Sequence, residues 1–355
     1  MIHVPEVTIE RIAVRMGTGE SLTDLALAAV RLLPRADYGA VIAATFSNPE
    51  RFPALSIRIA TALGLPPGTP AFDLQLACSA YPYAVYLASR LAGDTGKPVL
   101  VIDGDVQSRL VDTSDHATGH IFSDAVTASV VSVAPQADAA TEPTSPEATL
   151  PKAHESVFDF LSKADEALTC GESGPIKMDG FKVFSFVATE VSSFLRAFGT
   201  DVDVFAPHQA NPYMVRQLAK SLGLADRLLT IDEAILNPGS CSVALALATL
   251  TTRNDESPTT SERKDGATAP SDTSVSRKDG ATTPSDASVS RKDGATTPSD
   301  TSVSRKDGAT TEWSGVLPPA GQPRSLKVLI AGFGAGYSAA AGIVRIPPSF
   351  CTYGL

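Results

Sequence analysis

Three consecutive stretches decide the fold class: Ala71-Phe-Asp-Leu-Gln-Leu76, Ser79 to Leu91, and Pro98-Val-Leu-Val-Ile-Asp103. The first reads as a strand. The second carries apolar residues at helical spacing, and the third is an apolar run of strand length. A strand without polar alternation, following a helix, belongs to a sheet covered by helices on both faces. The alternation continues on either side. Upstream, Ala40-Val-Ile-Ala-Ala-Thr45 reads as a buried strand, and Ser56 to Leu63 as a helix that Pro66-Pro-Gly68 stops. Downstream, strands are expected at Ala125 to Val133, Val202 to Ala206, Leu228 to Ile231, Lys327 to Ala331 and Gly342 to Ile346. Helices are expected at about Val183 to Phe198, Pro212 to Leu222 and Cys241 to Leu250. The two halves echo one another in order of elements. The expectation is an α/β protein with parallel sheets in an internally duplicated, layered α/β/α/β/α arrangement.

The chain has 355 residues, 43% of them hydrophobic, enough for two domains of ~150 residues or one large α/β unit. Its formal net charge of −10 argues against a nucleic-acid surface, which needs a basic stripe to neutralise phosphates. No apolar run approaches the ~20 residues of a membrane span. The start, Met1-Ile-His-Val-Pro-Glu6, lacks the basic and apolar regions of a secretory signal. A cytoplasmic protein without membrane contact is therefore expected. Cys78, Cys170, Cys241 and Cys351 lie far apart with no Cys-x-x-Cys pair, so neither a metal cage nor a disulfide framework is expected. A single reactive thiol becomes the interesting possibility.

From Thr251 to about Trp313 the chain is nearly devoid of large apolar residues, and Arg-Lys-Asp-Gly-Ala-Thr recurs from Arg263, Arg277, Arg291 and Arg305 at intervals of 14 residues. One valine per unit (Val275, Val289, Val303) cannot offset the entropy of ordering it. The expected organisation is therefore an N-terminal half over 1–134, a polar loop over 135–153, and a C-terminal half over 154–250 with 325–355. A disordered repeat insert over 251–324 interrupts the second half.

Four places could carry chemistry. Cys78 ends a strand-like run and opens a helix, where the macrodipole and unpaired N–H groups favour the nucleophilic thiolate. On position alone it reads equally as a small buried hydrophobe. His208, in Pro207-His-Gln-Ala-Asn211, follows an apolar strand where active sites of α/β sheets collect; a lone histidine there is more often a hydrogen-bonded core residue. Asn237, in Asn237-Pro-Gly-Ser-Cys-Ser242, is most simply a turn residue. Gly332-Phe-Gly-Ala-Gly336 is a tight turn or an oxyanion-binding loop.

Taken together and in this order, these motifs resemble the β-ketoacyl-acyl-carrier-protein synthase III family of thiolase-fold condensing enzymes. Phe72-Asp73, Arg51-Phe-Pro53, Asp112-Thr-Ser-Asp115, Phe122-Ser-Asp124 and Met178-Asp-Gly180 look similar too. The likeness covers roughly Glu6 to Leu250 and Ser325 to Ile346, and Pro-His-Gln-Ala-Asn is its most specific motif.

The resemblance implies that Cys78 takes the acyl group of a starter thioester. His208 and Asn237 would hydrogen-bond the thioester carbonyl of a malonyl-carrier extender during decarboxylation. The N–H groups of Cys78 and Ala335 would form the oxyanion hole. Phe52, Leu76 and Tyr81 would shape the acyl pocket, Phe52 that of the neighbouring subunit, so a homodimer is implied. The partners would be acyl-CoA or acyl-carrier-protein thioester and malonyl-acyl-carrier protein, with no cofactor or metal, in fatty-acid or polyketide-type initiation.

The sequence also departs from the family pattern. The family's first strand, and the segment supplying a tryptophan to the CoA adenine, have no counterpart before Met1. His116 stands for the arginine of the Asp-Arg-Gly-Thr stretch, and Ser123-Asp-Ala-Val-Thr-Ala128 for its glycine-rich run. Tyr213 replaces an arginine of the carrier-docking face, leaving Lys182, Arg216 and Lys220 for docking; apart from the resemblance, those three are best explained as solvated helix charges. Ala335 replaces the middle glycine of the terminal loop. Two further readings stand beside condensation. One is an acyltransferase of the same fold that forms an ester or amide without decarboxylation, and the other is a degenerate, non-catalytic partner subunit of a heteromeric synthase.

Overall fold

The computed structural model describes residues 1–135, 155–171, 174–250 and 324–354. The chain divides into two units, Met1–Arg253 with Ser314–Leu355, and Asn254–Trp313. The second unit, with its repeats, lies outside the described residues, as does most of the polar stretch expected over 135–153.

The chain opens with β1 (Ile2–Pro5), β2 (Val7–Met16), α1 (Leu22–Val30), β3 (Ala40–Ala44), α2 (Leu55–Ala62) and β4 (Ala71–Leu74). Next come α3 (Ala80–Thr95), β5 (Val99–Asp105), β6 (Ala125–Val133), β7 (Glu155–Ser162), β8 (Leu168–Thr169) and β9 (Lys177–Met178). Then α4 (Gly180–Phe186) runs through a π turn at Val187–Val191 into α5 (Ser192–Arg196). Last are β10 (Val204–Pro207), α6 (Pro212–Ser221), α7 (Ser242–Ala248), β11 (Leu326–Gly334), β12 (Ser338–Ile346) and β13 (Cys351–Tyr353).

One group of strands runs β2-β6-β5-β3-β4, with β13 beside β2; the other joins β1, β7, β12, β11 and β10. A single described pairing, Arg345 with Thr8, connects them. Strand residues point alternately to two cores. Val99 and Val101 of β5, and Val328 and Ile330 of β11, face a central cluster that contains α3 and the whole of α7. Leu100 and Ile102 face an outer layer built by α1 and α2. Leu329 and Ala331 face another, built by α4, α5 and α6. Helices, sheet, helices, sheet, helices is the expected layering.

The expectation of parallel sheets needs correction, because the sheet is mixed. β3 pairs parallel with β4 and β5, and β10 with β11, but β5–β6, β2–β6, β11–β12, β12–β7 and β1–β7 are antiparallel. Burial on both faces makes an antiparallel strand as uniformly apolar as a parallel one, so composition could not tell the two apart. Leu228–Ile231 is not a full strand either; Leu228 makes one bridge to Phe205, and the Leu229 N–H donates to the Phe205 carbonyl at 2.8 Å.

The sequence reading predicts no element before Ala40, yet Ile2–Pro5 and Val7–Met16 form β1 and β2. A register shift between Ile9 and Arg11 breaks the alternation of β2, which hides it from a period-2 reading. Helix α1 lies in the same stretch. Its N-cap is Ser21, whose side chain accepts from the Asp24 N–H at 3.1 Å.

Candidate active site

Cys78 sits in a single 3₁₀ turn, Ala77–Ser79, ahead of α3. Ala77 adopts φ 45°, a left-handed conformation that costs a non-glycine residue energy. The turn is held by Ser79, whose hydroxyl donates to the Leu76 carbonyl at 2.9 Å and lies 2.7 Å from the Ser338 hydroxyl. Strand β11 passes directly beneath. A Cβ on Gly332 would lie 2.7 Å from the Cys78 carbonyl oxygen and 2.9 Å from Ser79 Cα. The first glycine of that motif thus makes room for the turn that carries Cys78.

The thiolate argued from helix position is not the resting state. Burial, and after it the charge of Asp105, push the Cys78 thiol up to about 12. The N–H groups of Ala335 and of Cys78 itself bear on the sulfur and pull the other way, without prevailing.

His208 follows β10, and its N–H donates to the Ala331 carbonyl at 2.7 Å. The ring is buried, stands edge-on to Phe333 at 5.7 Å between centroids, and has its Nδ1 2.5 Å from the Ser242 hydroxyl. Burial lowers its pKa to about 3, so the ring is neutral. Gln209 and Asn211, its companions in the motif, are structural. Gln209 donates to the Pro207 and Leu229 carbonyls at 2.7 and 3.2 Å. Asn211 caps α6 by accepting from the N–H groups of Tyr213 and Met214.

Asn237 is clamped on both sides. Its N–H donates to the Ile121 carbonyl at 3.0 Å, and its carbonyl accepts from the Ser123 N–H at 3.0 Å and Gln107 Nε2 at 3.0 Å. The side-chain Oδ1 accepts from the Gly239 N–H at 2.9 Å. With the oxygen engaged, the amide's NH₂ end is the part available to a ligand. Beneath this loop lies Asp105, which accepts from Thr45 Oγ1 and the N–H groups of Phe46 and Ser47, and from Ser240 N–H and Oγ at 3.1 and 2.6 Å. Asp105 and Gln107 were missed by sequence reasoning. The available signal was two carboxylates, Asp103 and Asp105, at the end of an otherwise apolar strand.

Cys78, His208 and Asn237 all line one cavity of about 370 Å³. Its walls are mostly apolar, from Phe122, Leu168, Met178, Val187 and Met214 among others, and Phe184 and Tyr213 also border it. Those two rings stack at 6.3 Å. Cavities of this size and lining, with a few convergent polar groups, are typical small-molecule sites.

A family model described as 3-oxoacyl-[acyl-carrier-protein] synthase III matches residues 72–144. The β-ketoacyl-[acyl-carrier-protein] synthase III of Sphingopyxis alaskensis is 35% identical over 232 residues, covering 62% of this chain and 70% of that protein. The chain belongs to the β-ketoacyl-acyl-carrier-protein synthase III family. The family's protein from Rhodospirillum rubrum is 31% identical over 252 residues, covering 67% of this chain and 77% of that one. The fold agrees as well. A 3-oxoacyl-(acyl-carrier protein) synthase from Burkholderia xenovorans superposes with a TM-score of 0.70 at 19% identity, over 99% of this chain and 98% of that one. As a member of this synthase III family, the chain is a condensing-type acyltransferase.

The remaining expected site residues are placed elsewhere. Tyr81 is fully buried in the central core with its hydroxyl 3.0 Å from Ser129 Oγ, and Leu76 packs half-buried against the same core. Phe52 is 85% exposed. None of the three lines the cavity. Of the expected docking cations, Lys182 lies 3.7 Å from Asp179, Arg216 pairs with Glu233, and Lys220 is exposed in the last turn of α6. Among the described residues no cluster of three or more His, Cys, Asp or Glu is placed to hold a metal, and no helix is long and apolar enough to cross a membrane.

Proposed function

We propose that the protein carries out acyl transfer onto Cys78 followed by decarboxylative Claisen condensation with a malonyl-carrier thioester. The observation that carries this reading is the convergence of Cys78, His208 and Asn237 on one cavity, with the Ala335 and Cys78 N–H groups at the sulfur.

In the first step the Cys78 sulfur attacks the starter thioester carbonyl. The N–H groups of Cys78 and Ala335 hold the developing oxyanion. The bond to the carrier's sulfur breaks, and the thiol proton leaves with it, giving a free carrier thiol and an S-acyl cysteine. In the second step His208 and Asn237 donate hydrogen bonds to the thioester oxygen of the malonyl group. Carbon dioxide departs, and its bonding electrons flow into an enolate that these two neutral donors stabilise. The enolate carbon attacks the acyl group, the carbon–sulfur bond to Cys78 breaks, and the departing thiolate takes a proton from solvent. The product is a 3-oxoacyl thioester.

The partners under this reading are an acyl-CoA or acyl-carrier-protein thioester and malonyl-acyl-carrier protein. Lys182, Arg216 and Lys220 would meet the acidic carrier. In a homodimer the exposed Phe52 would reach the neighbouring subunit's acyl pocket. Intact mass after incubation with acyl-CoA or acyl-carrier thioesters tests the first step, with an adduct expected in the wild type and none in Cys78→Ala. Carbon dioxide release from malonyl-acyl-carrier protein tests the second; acylation without release would favour ester or amide formation, and no adduct at all a non-catalytic subunit.

A further inference from the structure

Ser242 opens α7 and is fully buried. Its Oγ lies 2.5 Å from His208 Nδ1 and accepts from the Gln209 N–H at 3.3 Å. A backbone N–H only donates, so it occupies one lone pair of that oxygen. The hydroxyl has a single proton to give, and Nδ1 is the one acceptor the described residues place within its reach. Were Nδ1 itself protonated, Oγ would accept twice and its own proton would be buried without an acceptor, an arrangement folded proteins avoid.

Building on the condensing reading above, we propose that Ser242 is the positioning residue that fixes the tautomer of His208, donating to Nδ1 and so keeping the ring proton on Nε2. With Nδ1 engaged, the far edge of the ring is the part that meets the cavity His208 lines. Nε2–H is the form that donates to a thioester oxygen; the other tautomer would present a lone pair and repel the enolate. The low basicity of the buried ring agrees with a donor that stays neutral as charge develops on the substrate. The hydroxyl thus completes a chain from the Gln209 N–H through Ser242 and the imidazole into the cavity.

The test is ¹⁵N NMR of histidine-labelled wild type, Ser242→Ala and Ser242→Thr, alongside carbon dioxide release from malonyl-acyl-carrier protein. The wild type is expected to show Nε2–H, and Ser242→Ala a mixture of tautomers with release slowed about 10- to 100-fold. Ser242→Thr, which keeps the hydroxyl, should restore both, and thermal midpoints report folding of each variant. A wild-type ring protonated on Nδ1, or a folded Ser242→Ala with unchanged tautomer and rate, overturns the proposal. A wild type that shows the Nε2–H tautomer yet releases no carbon dioxide refutes the condensing reading and leaves the tautomer assignment standing.

Discussion

Gly334 passes so close to Cys78 that a Cβ there would lie 3.2 Å from the Cys78 Cβ and 3.6 Å from its sulfur. Gly334 also holds φ 147°, which side-chain-bearing residues rarely adopt. The relationship explains how β11 delivers the next N–H, that of Ala335, to the nucleophile. A Gly334→Ala variant should fold and yet acylate slowly, because the backbone must withdraw from the sulfur. Initial rates of mass labelling by acyl-CoA measure this.

Gly332 is less forgiving than Gly334. Its missing Cβ faces backbone atoms of Cys78 and Ser79 rather than a movable side chain. Gly332→Ala is expected to cost about 1–3 kcal/mol in stability through overpacking and to abolish labelling of Cys78. Urea unfolding and the same mass assay report the two effects.

The raised pKa of Cys78 sets a direction for pH dependence. Below about 12 the thiolate is the minor form, so alkylation of Cys78 by iodoacetamide should rise about tenfold per pH unit between about pH 7 and 9. A plateau near neutrality would mean that the oxyanion donors outweigh burial.

The two neutral donors should be separable from the nucleophile. His208→Ala and Asn237→Ala are each expected to keep self-acylation of Cys78 while slowing carbon dioxide release about 100- to 1,000-fold. Failure of a folded variant to acylate would overturn this division of roles.

Asp103 is fully buried and neither carboxyl oxygen has a hydrogen-bond partner; the nearby Ser240 hydroxyl is given to Asp105. Burial, and then the Asp105 charge, raise its pKa well above the ordinary carboxylate range. A folded-state pKa above the unfolded one gives stability that is complete at low pH and lost as pH rises toward the folded value. Asp103→Asn removes that titration, so its thermal midpoint should gain on the wild type at about pH 8 and lose that advantage toward about pH 4.

How much of this was legible in the sequence differs from residue to residue. The layered α/β class could be read from β3, β5 and α7, because an element buried on all sides declares itself by composition alone, and from α3 by the helical spacing of its apolar residues. Cys78, His208 and Asn237, which line one cavity, could be singled out as candidates because each stands where an apolar element meets a loop, in an order resembling that of a known family. Strand direction could not be read, since side-chain alternation is the same in parallel and antiparallel ladders. Nor could the protonation of Cys78, which the helix position argued one way and burial beside Asp105 decided the other. Ser242 gave no signal at all, and the pair of carboxylates ending β5 marked Asp105 without showing its partner, since each acts on a residue far away along the chain. The linear order of residues determined which elements form and which groups can react. Only tertiary packing decided which of those groups meet, how dry their surroundings are and which proton each one holds, because desolvation and hydrogen-bond direction depend on neighbours that sequence separation does not encode.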